Sequence, residues 1–148
     1  MSDLDQLYQA VIVDHDRSPR NAGTLADATH HATVDNPLCG DVVTMQLRIE
    51  DGVVRAVAFE GRGCALSRAA ASILTTMVVG RDLAAIKTLG AAFETFVRGV
   101  DGPAPADLGE LAAFAGVRRF PSRRACALLA PKALDVAIGH LVTLDTCT

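Results

Sequence analysis

Asp41-Val42-Val43-Thr44-Met45-Gln46-Leu47-Arg48-Ile49-Glu50-Asp51-Gly52-Val53-Val54-Arg55-Ala56-Val57-Ala58-Phe59 is the stretch on which the fold turns. From Asp41 to Glu50 apolar and polar residues alternate. Val43, Met45, Leu47 and Ile49 fall on one face and Thr44, Gln46, Arg48 and Glu50 on the other, the pattern of a half-buried strand. Asp51-Gly52 is a pair that a two-residue hairpin turn prefers, because both central residues of that turn take positive φ. Val53 to Phe59 supplies the returning strand. With the extended segment Ala32 to Asp35, opened by His30 and His31, an antiparallel sheet of about three strands is expected.

Around this sheet the periodicity is helical. Leu4, Leu7, Tyr8, Val11 and Ile12 recur at helical spacing behind a capping-box-like Ser2 and Asp5, so residues 3 to 17 read as an amphipathic helix. Ser18-Pro19-Arg20-Asn21-Ala22-Gly23 ends it. His15 continues the apolar stripe and reads as a packing or hydrogen-bonded histidine rather than a ligand. Gly61-Arg62-Gly63 leads into an Ala-rich helix, Leu66 to Val79, with Gly80 as its left-handed cap. Asp82 caps a further helix carrying Leu83, Ile86, Leu89, Phe93, Phe96 and Val97, which Gly90 weakens by about 1 kcal/mol. Gly99 to Pro105 is linker-like and precedes a short apolar helix, Asp107 to Ala115. Ser122 is expected to cap the last helical region, which Pro131 should kink or break near Ala130. The chain therefore reads as one domain over 1–148, with an insertion at about 99–120 packed on it.

Composition narrows the function. The chain has 148 residues, half of them apolar, with 4% aromatics and no Trp, so Ala, Leu, Val and Ile must build the core. A chain of this length buries roughly two thirds of its unfolded surface and does not need disulfides. A net charge of -3 gives no electrostatic footprint for nucleic acid. The amino terminus is acidic, and no apolar run approaches about 18 residues, so no membrane association and a cytoplasmic location are expected. In a reducing compartment four cysteines favour metal binding or thiol chemistry over bridges. No Ser/His/Asp order, P-loop or dinucleotide fingerprint is visible.

Three of the cysteines lie at junctions between loops and regular elements: Cys39 in Leu38-Cys39-Gly40-Asp41, Cys64 in Gly61-Arg62-Gly63-Cys64-Ala65-Leu66-Ser67, and Cys126 in Pro121-Ser122-Arg123-Arg124-Ala125-Cys126. Such junctions present reactive groups, and a helix amino-terminal end such as the one after Cys64 favours a thiolate. If Cys39, Asp41, Cys64 and Cys126 converge, they form three sulfurs and one oxygen able to hold zinc tetrahedrally or to hold iron and sulfide. The plainer readings are a strand-start turn residue for Asp41 and a buried cysteine in a glycine turn for Cys64. They leave the recurrence at three junctions unexplained. Arg62, Arg123 and Arg124 are candidates to offset the negative charge of such a set, with a solvated surface role as the alternative for Arg62 and Arg124. Cys147 reads as an exposed spare thiol.

The chain resembles the U-type iron-sulfur cluster assembly family over nearly its whole length. The resemblance rests on Leu7-Tyr8-x-x-Val11-Ile12-x-Asp14-His15, Pro19-Arg20-Asn21-x-Gly23, Asn36-Pro37-x-Cys39-Gly40-Asp41, Phe59-x-Gly61-x-Gly63-Cys64-Ala65-x-Ser67 and the Cys126 segment. Scaffold members, similar to IscU and the amino-terminal part of NifU, carry His immediately before the third cysteine and a shorter preceding gap. Here Ala125 and the insertion through Pro121 look like the SufU-type branch.

That resemblance implies an α+β fold, a three-stranded antiparallel sheet with helices packed on one side. It also implies a zinc-dependent, sulfurtransferase-like acceptor that takes persulfide sulfur, as co-substrate, from a pyridoxal-phosphate cysteine desulfurase of the SufS type and serves downstream cluster-assembly proteins. Cys39, Asp41, Cys64 and Cys126 would then be the metal ligands, Cys39 the sulfur acceptor and Arg123 a supporting residue. Two alternatives stay open: a scaffold for a transient [2Fe-2S] cluster, and a structural zinc module that binds and activates the desulfurase. Relatives often have an aromatic where Pro131 stands.

Overall fold

The alternating stretch is the central strand of the molecule. A computed structural model describes the backbone of residues 3–38, 40–99 and 102–143, with side chains through residue 139. Strands β1 (His30–Asn36), β2 (Asp41–Glu50) and β3 (Val53–Arg62) form one antiparallel sheet in the order β1-β2-β3. Asp51 (φ 54°) and Gly52 (φ 75°) both take the left-handed conformation that the two-residue turn demands. β3 runs beyond Phe59 because Thr44, Val43 and Val42 continue the ladder to Glu60, Gly61 and Arg62. A bulge after Arg48 leaves Arg55 without a register partner and keeps Val54 on the same face as Val57 and Phe59. Along β2 the residues i, i+2 and i+4 share a face, so the strand that buries Val43, Met45 and Leu47 also carries Asp41 to the inner side at the sheet's end.

Four α-helices follow from the expected periodicities: α1 (Asp3–Arg17), α2 (Ala65–Val78), α3 (Leu83–Arg98) and α4 (Pro121–Thr143). α4 lies on β1 and β2, while α2 lies on β3 and against α4. Leu74, Ile73, Ala130 and Leu134 are buried between these layers, each large side chain contributing about 1.5–3 kcal/mol. α3 packs outside them, joined to the following segment by an edge-to-face contact of Phe93 and Phe114 at 5.6 Å. No helix among the described residues is long and apolar enough to cross a membrane.

Three local expectations are corrected. α4 runs through Pro131 without a break, because Leu129, Ala130, Ala133 and Leu134 on both sides of it are buried and hold the helix to the sheet. It begins at Pro121, whose fixed φ and missing N–H suit a first helical position, so Ser122 lies inside the first turn and is not the cap. The expected helix from Asp107 to Ala115 is a run of 3-10 turns over Ala106–Arg119, broken where Gly109 adopts φ 54°, ψ -131°.

A polar knot fixes α1. His15 is 1% exposed, with Nδ1 2.7 Å from Ser72 Oγ on α2 and Nε2 3.1 Å from Glu110 Oε1 in the 3-10 segment. Ser72 Oγ also accepts the Arg20 N–H at 2.8 Å, and Asn21 Nδ2 donates to Thr75 Oγ1 at 3.1 Å. With the proton on Nε2, each of these groups has a partner. Beyond the knot, Gly23 N–H donates to Phe59 O and Phe59 N–H to Asn21 O along the free edge of β3. The chain then crosses the outer face of the sheet, where Gln46 accepts the Leu25 N–H at 2.9 Å and donates to Gly23 O at 3.1 Å. Of the apolar stripe on α1, Leu4 and Leu7 are exposed and only the later residues pack inward.

Candidate metal centre

Three elements meet at the end of the sheet where β2 begins. Asp41 opens β2, Cys64 immediately precedes α2, and Cys126 sits in the second turn of α4. One ligand atom from each, a carboxylate oxygen and two Sγ atoms, lies within 4.8 Å of the others. Asp41 and Cys126 are buried, while Cys64 is partly open. Cys39 and Cys147 fall outside the described residues. On either side of Cys39 the chain is ordered by Asn36, whose carbonyl accepts the Gly40 N–H at 2.8 Å and whose Oδ1 accepts the Leu38 N–H at 3.2 Å. Asn36 is also the register partner of Asp41, so the loop 37–40 is the tip of the β1–β2 hairpin.

The Asp41 carboxylate fits against the backbone of Gly63. A Cβ added there would stand 2.0 Å from Asp41 Oδ1, and Gly63 has φ +119°, so no other residue fits without displacement. That closeness lets Oδ1 accept the Cys64 N–H at 2.8 Å while Oδ2 accepts the Cys64 thiol hydrogen at 3.2 Å. Cys64, in extended conformation (φ -78°, ψ 162°), puts no side-chain cap on α2. Fully buried Ser67 donates to the Cys64 carbonyl at 3.1 Å. Gly63 and Ser67 were visible in the sequence only as parts of a motif. The role of Gly63 depends on a strand residue more than twenty positions away, that of Ser67 on the Cys64 carbonyl one turn before it.

The donor set suits a small tetrahedral cation. Zn–S of about 2.3 Å and Zn–O of about 2.0–2.2 Å place tetrahedral ligand atoms roughly 3.5–3.8 Å apart. The observed clustering, with the Asp41–Cys64 pair at 3.2 Å, needs little adjustment to reach that spacing. Among the described residues, this is the group of three or more potential metal-binding side chains that comes together.

The arginines are placed differently from one another. Arg62 pairs in register with Val42, on the face of the sheet opposite Asp41. Arg123 is exposed, with its guanidinium carbon 4.8 Å from the centre of the Phe120 ring. Arg124 donates to the Arg118 carbonyl at 3.2 Å. Arg68, one turn into α2, was not anticipated. It pairs with Asp16 at 3.4 Å and ties α1 to the helix that follows Cys64.

The chain is similar to known proteins over most of its length. A zinc-dependent sulfurtransferase SufU of Bacillus subtilis is 36% identical over 93% of this chain and 93% of its own length. An iron-sulfur cluster assembly scaffold protein IscU of Streptococcus pyogenes is 37% identical over 93% of this chain and 86% of its own. A crystal structure of the N-terminal part of a nitrogen-fixing NifU-like protein from Brucella abortus superposes with a TM-score of 0.83 at 30% identity, covering 96% of this chain and 99% of that one. The family model of the NifU-like N terminal domain matches residues 7–139, and the chain belongs to that family.

Proposed function

We propose that this chain is an iron-sulfur cluster assembly protein of the cytoplasm that accepts sulfur on Cys39 from a pyridoxal-phosphate cysteine desulfurase, with zinc held by Cys39, Asp41, Cys64 and Cys126. The observation that carries the reading is the meeting of Asp41, Cys64 and Cys126 within 4.8 Å, at the tip of the hairpin whose loop includes Cys39. The likeness to the zinc-dependent sulfurtransferase supports it. Zinc, when bound, keeps thiols deprotonated at neutral pH and has no redox chemistry with which to oxidise them.

In the transfer the Cys39 thiolate attacks the outer sulfur of the donor's cysteine persulfide. A new S–S bond forms at Cys39, the donor's S–S bond breaks and its cysteine leaves as a thiolate, so electrons balance without an external oxidant. Asp41 Oδ1 holds Cys64 in place by accepting its backbone N–H, a bond that survives loss of the thiol proton. Buried Cys126 closes the inner side to water, and Leu38, 95% exposed, offers an apolar contact beside the acceptor. Sulfur then passes to downstream cluster-assembly proteins.

The test is mass spectrometry after incubation with desulfurase and cysteine, alongside metal analysis. Wild type should carry one added sulfur on Cys39, whereas Cys39→Ala should carry none and remain folded. Retained transfer in Cys39→Ala would exclude Cys39 as acceptor. The IscU-named relative favours one further reading, a scaffold for a [2Fe-2S] cluster. Anaerobically purified protein that is coloured and rich in iron would establish that reading, and a colourless zinc protein would exclude it. Raised desulfurase activity with no sulfur on Cys39 would instead indicate a zinc module that only activates its partner.

A further inference from the structure

We infer that the groove between α1, the start of α2 and the turn before α4 seats a carboxylate-bearing, apolar segment of the sulfur-donor protein. This rests on the sulfur-acceptor reading and names how the donor is held. The groove has a volume of about 710 Å³, enough for several side chains. Its walls include Tyr8 and Ile12 of α1, Leu66 and Phe120. Leu66 is two residues past Cys64, and the lining residue Arg123 is three before Cys126. A segment lying here is therefore anchored on residues two and three positions from two of the proposed zinc ligands, beside which the donor must come to reach Cys39.

Charge points to the same occupant. Arg118, Arg119 and Arg123 line the groove against one carboxylate, Asp5, in a chain whose net charge is -3. Arg118 is held by the carbonyls of Ala115 and Gly102, both at 3.0 Å, and stacks on Phe96 at 4.6 Å. Arg119 and Arg123 are exposed, and among the described residues neither makes an ion pair. Phe120, 48% exposed beneath the Arg123 guanidinium, gives the groove an aromatic anchor. An exposed aromatic beside unpaired guanidiniums matches an acidic segment with an apolar side chain. An anionic nucleic acid would meet a protein that is acidic overall.

The test is the dissociation constant of the zinc-loaded protein for a pyridoxal-phosphate cysteine desulfurase, measured by calorimetry for wild type, Arg119→Glu and Phe120→Ala. Both variants should keep their zinc content and bind at least tenfold more weakly at 0.05 M salt. The Arg119→Glu deficit should shrink at 0.5 M salt, where charge is screened, and the Phe120→Ala deficit should persist. Wild type that binds while both variants bind within twofold of it would overturn the groove and leave the sulfur-acceptor reading intact. Wild type that neither binds nor accepts sulfur would overturn both. A changed sedimentation mass in either variant, with donor affinity unaltered, would make the occupant a second copy of this chain and also overturn the proposal.

Discussion

Two helices of this protein start from nearly the same backbone and put it to different uses. Cys64 before α2 (φ -78°, ψ 162°) and Asp82 before α3 (φ -82°, ψ 171°) are both extended residues at the cap position. Asp82 turns its carboxylate onto its own helix and accepts the Ala85 N–H at 2.8 Å. Cys64 supplies no cap, and the carboxylate at that helix start comes from Asp41 on a strand, directed at the cysteine's N–H and thiol. The first arrangement serves stability alone. In the second, a helix end worth about 1 kcal/mol of capping is left to a residue chosen for its sulfur.

The comparison can be broken most sharply at Gly63. Gly63→Ala should cost about 3 kcal/mol or more in denaturant unfolding and abolish zinc retention, since the new methyl group occupies the place of Asp41 Oδ1 at a positive φ. A loss under about 0.5 kcal/mol would mean that the close approach is not required. Asp82→Ala should cost about 1 kcal/mol while zinc stoichiometry stays unchanged, which separates a cap that stabilises from a centre that binds. The smallest effect has the opposite sign. With chelator present, Cys64→Ser should unfold at higher denaturant than wild type, by about 0.5–1 kcal/mol, because Ser is a better cap than Cys. The same variant should lose metal. Equal or lower stability would mean that α2 gains nothing from a cap at this position.

Much of this was legible in the sequence because it depends on neighbours along the chain. Asp51-Gly52 specified its turn, the alternation of β2 specified its inner face, and Asp82 announced the start of α3. Motif and resemblance point to a meeting of Asp41, Cys64 and Cys126, and one ligand atom from each lies within 4.8 Å of the others. What escaped depends on distant partners. The steric demand at Gly63 comes from a strand, and the partners of His15 lie 57 and 95 residues away. The passage of α4 through Pro131 reflects burial on both flanks outweighing one lost hydrogen bond. Leu4 and Leu7 carry a helical period without revealing that each stays more than half exposed among the described residues.

The strap at residues 21–23 has a consequence for solubility. β3 would otherwise present an unpaired row of amides and carbonyls, the template on which neighbouring molecules stack into polymers. Asn21 and Gly23 occupy that row at Phe59, and Gly80 and Arg81 occupy it at Val54. Intermolecular strand addition on this flank is thereby blocked at two points, and a growing aggregate would have to begin from the shorter β1 instead.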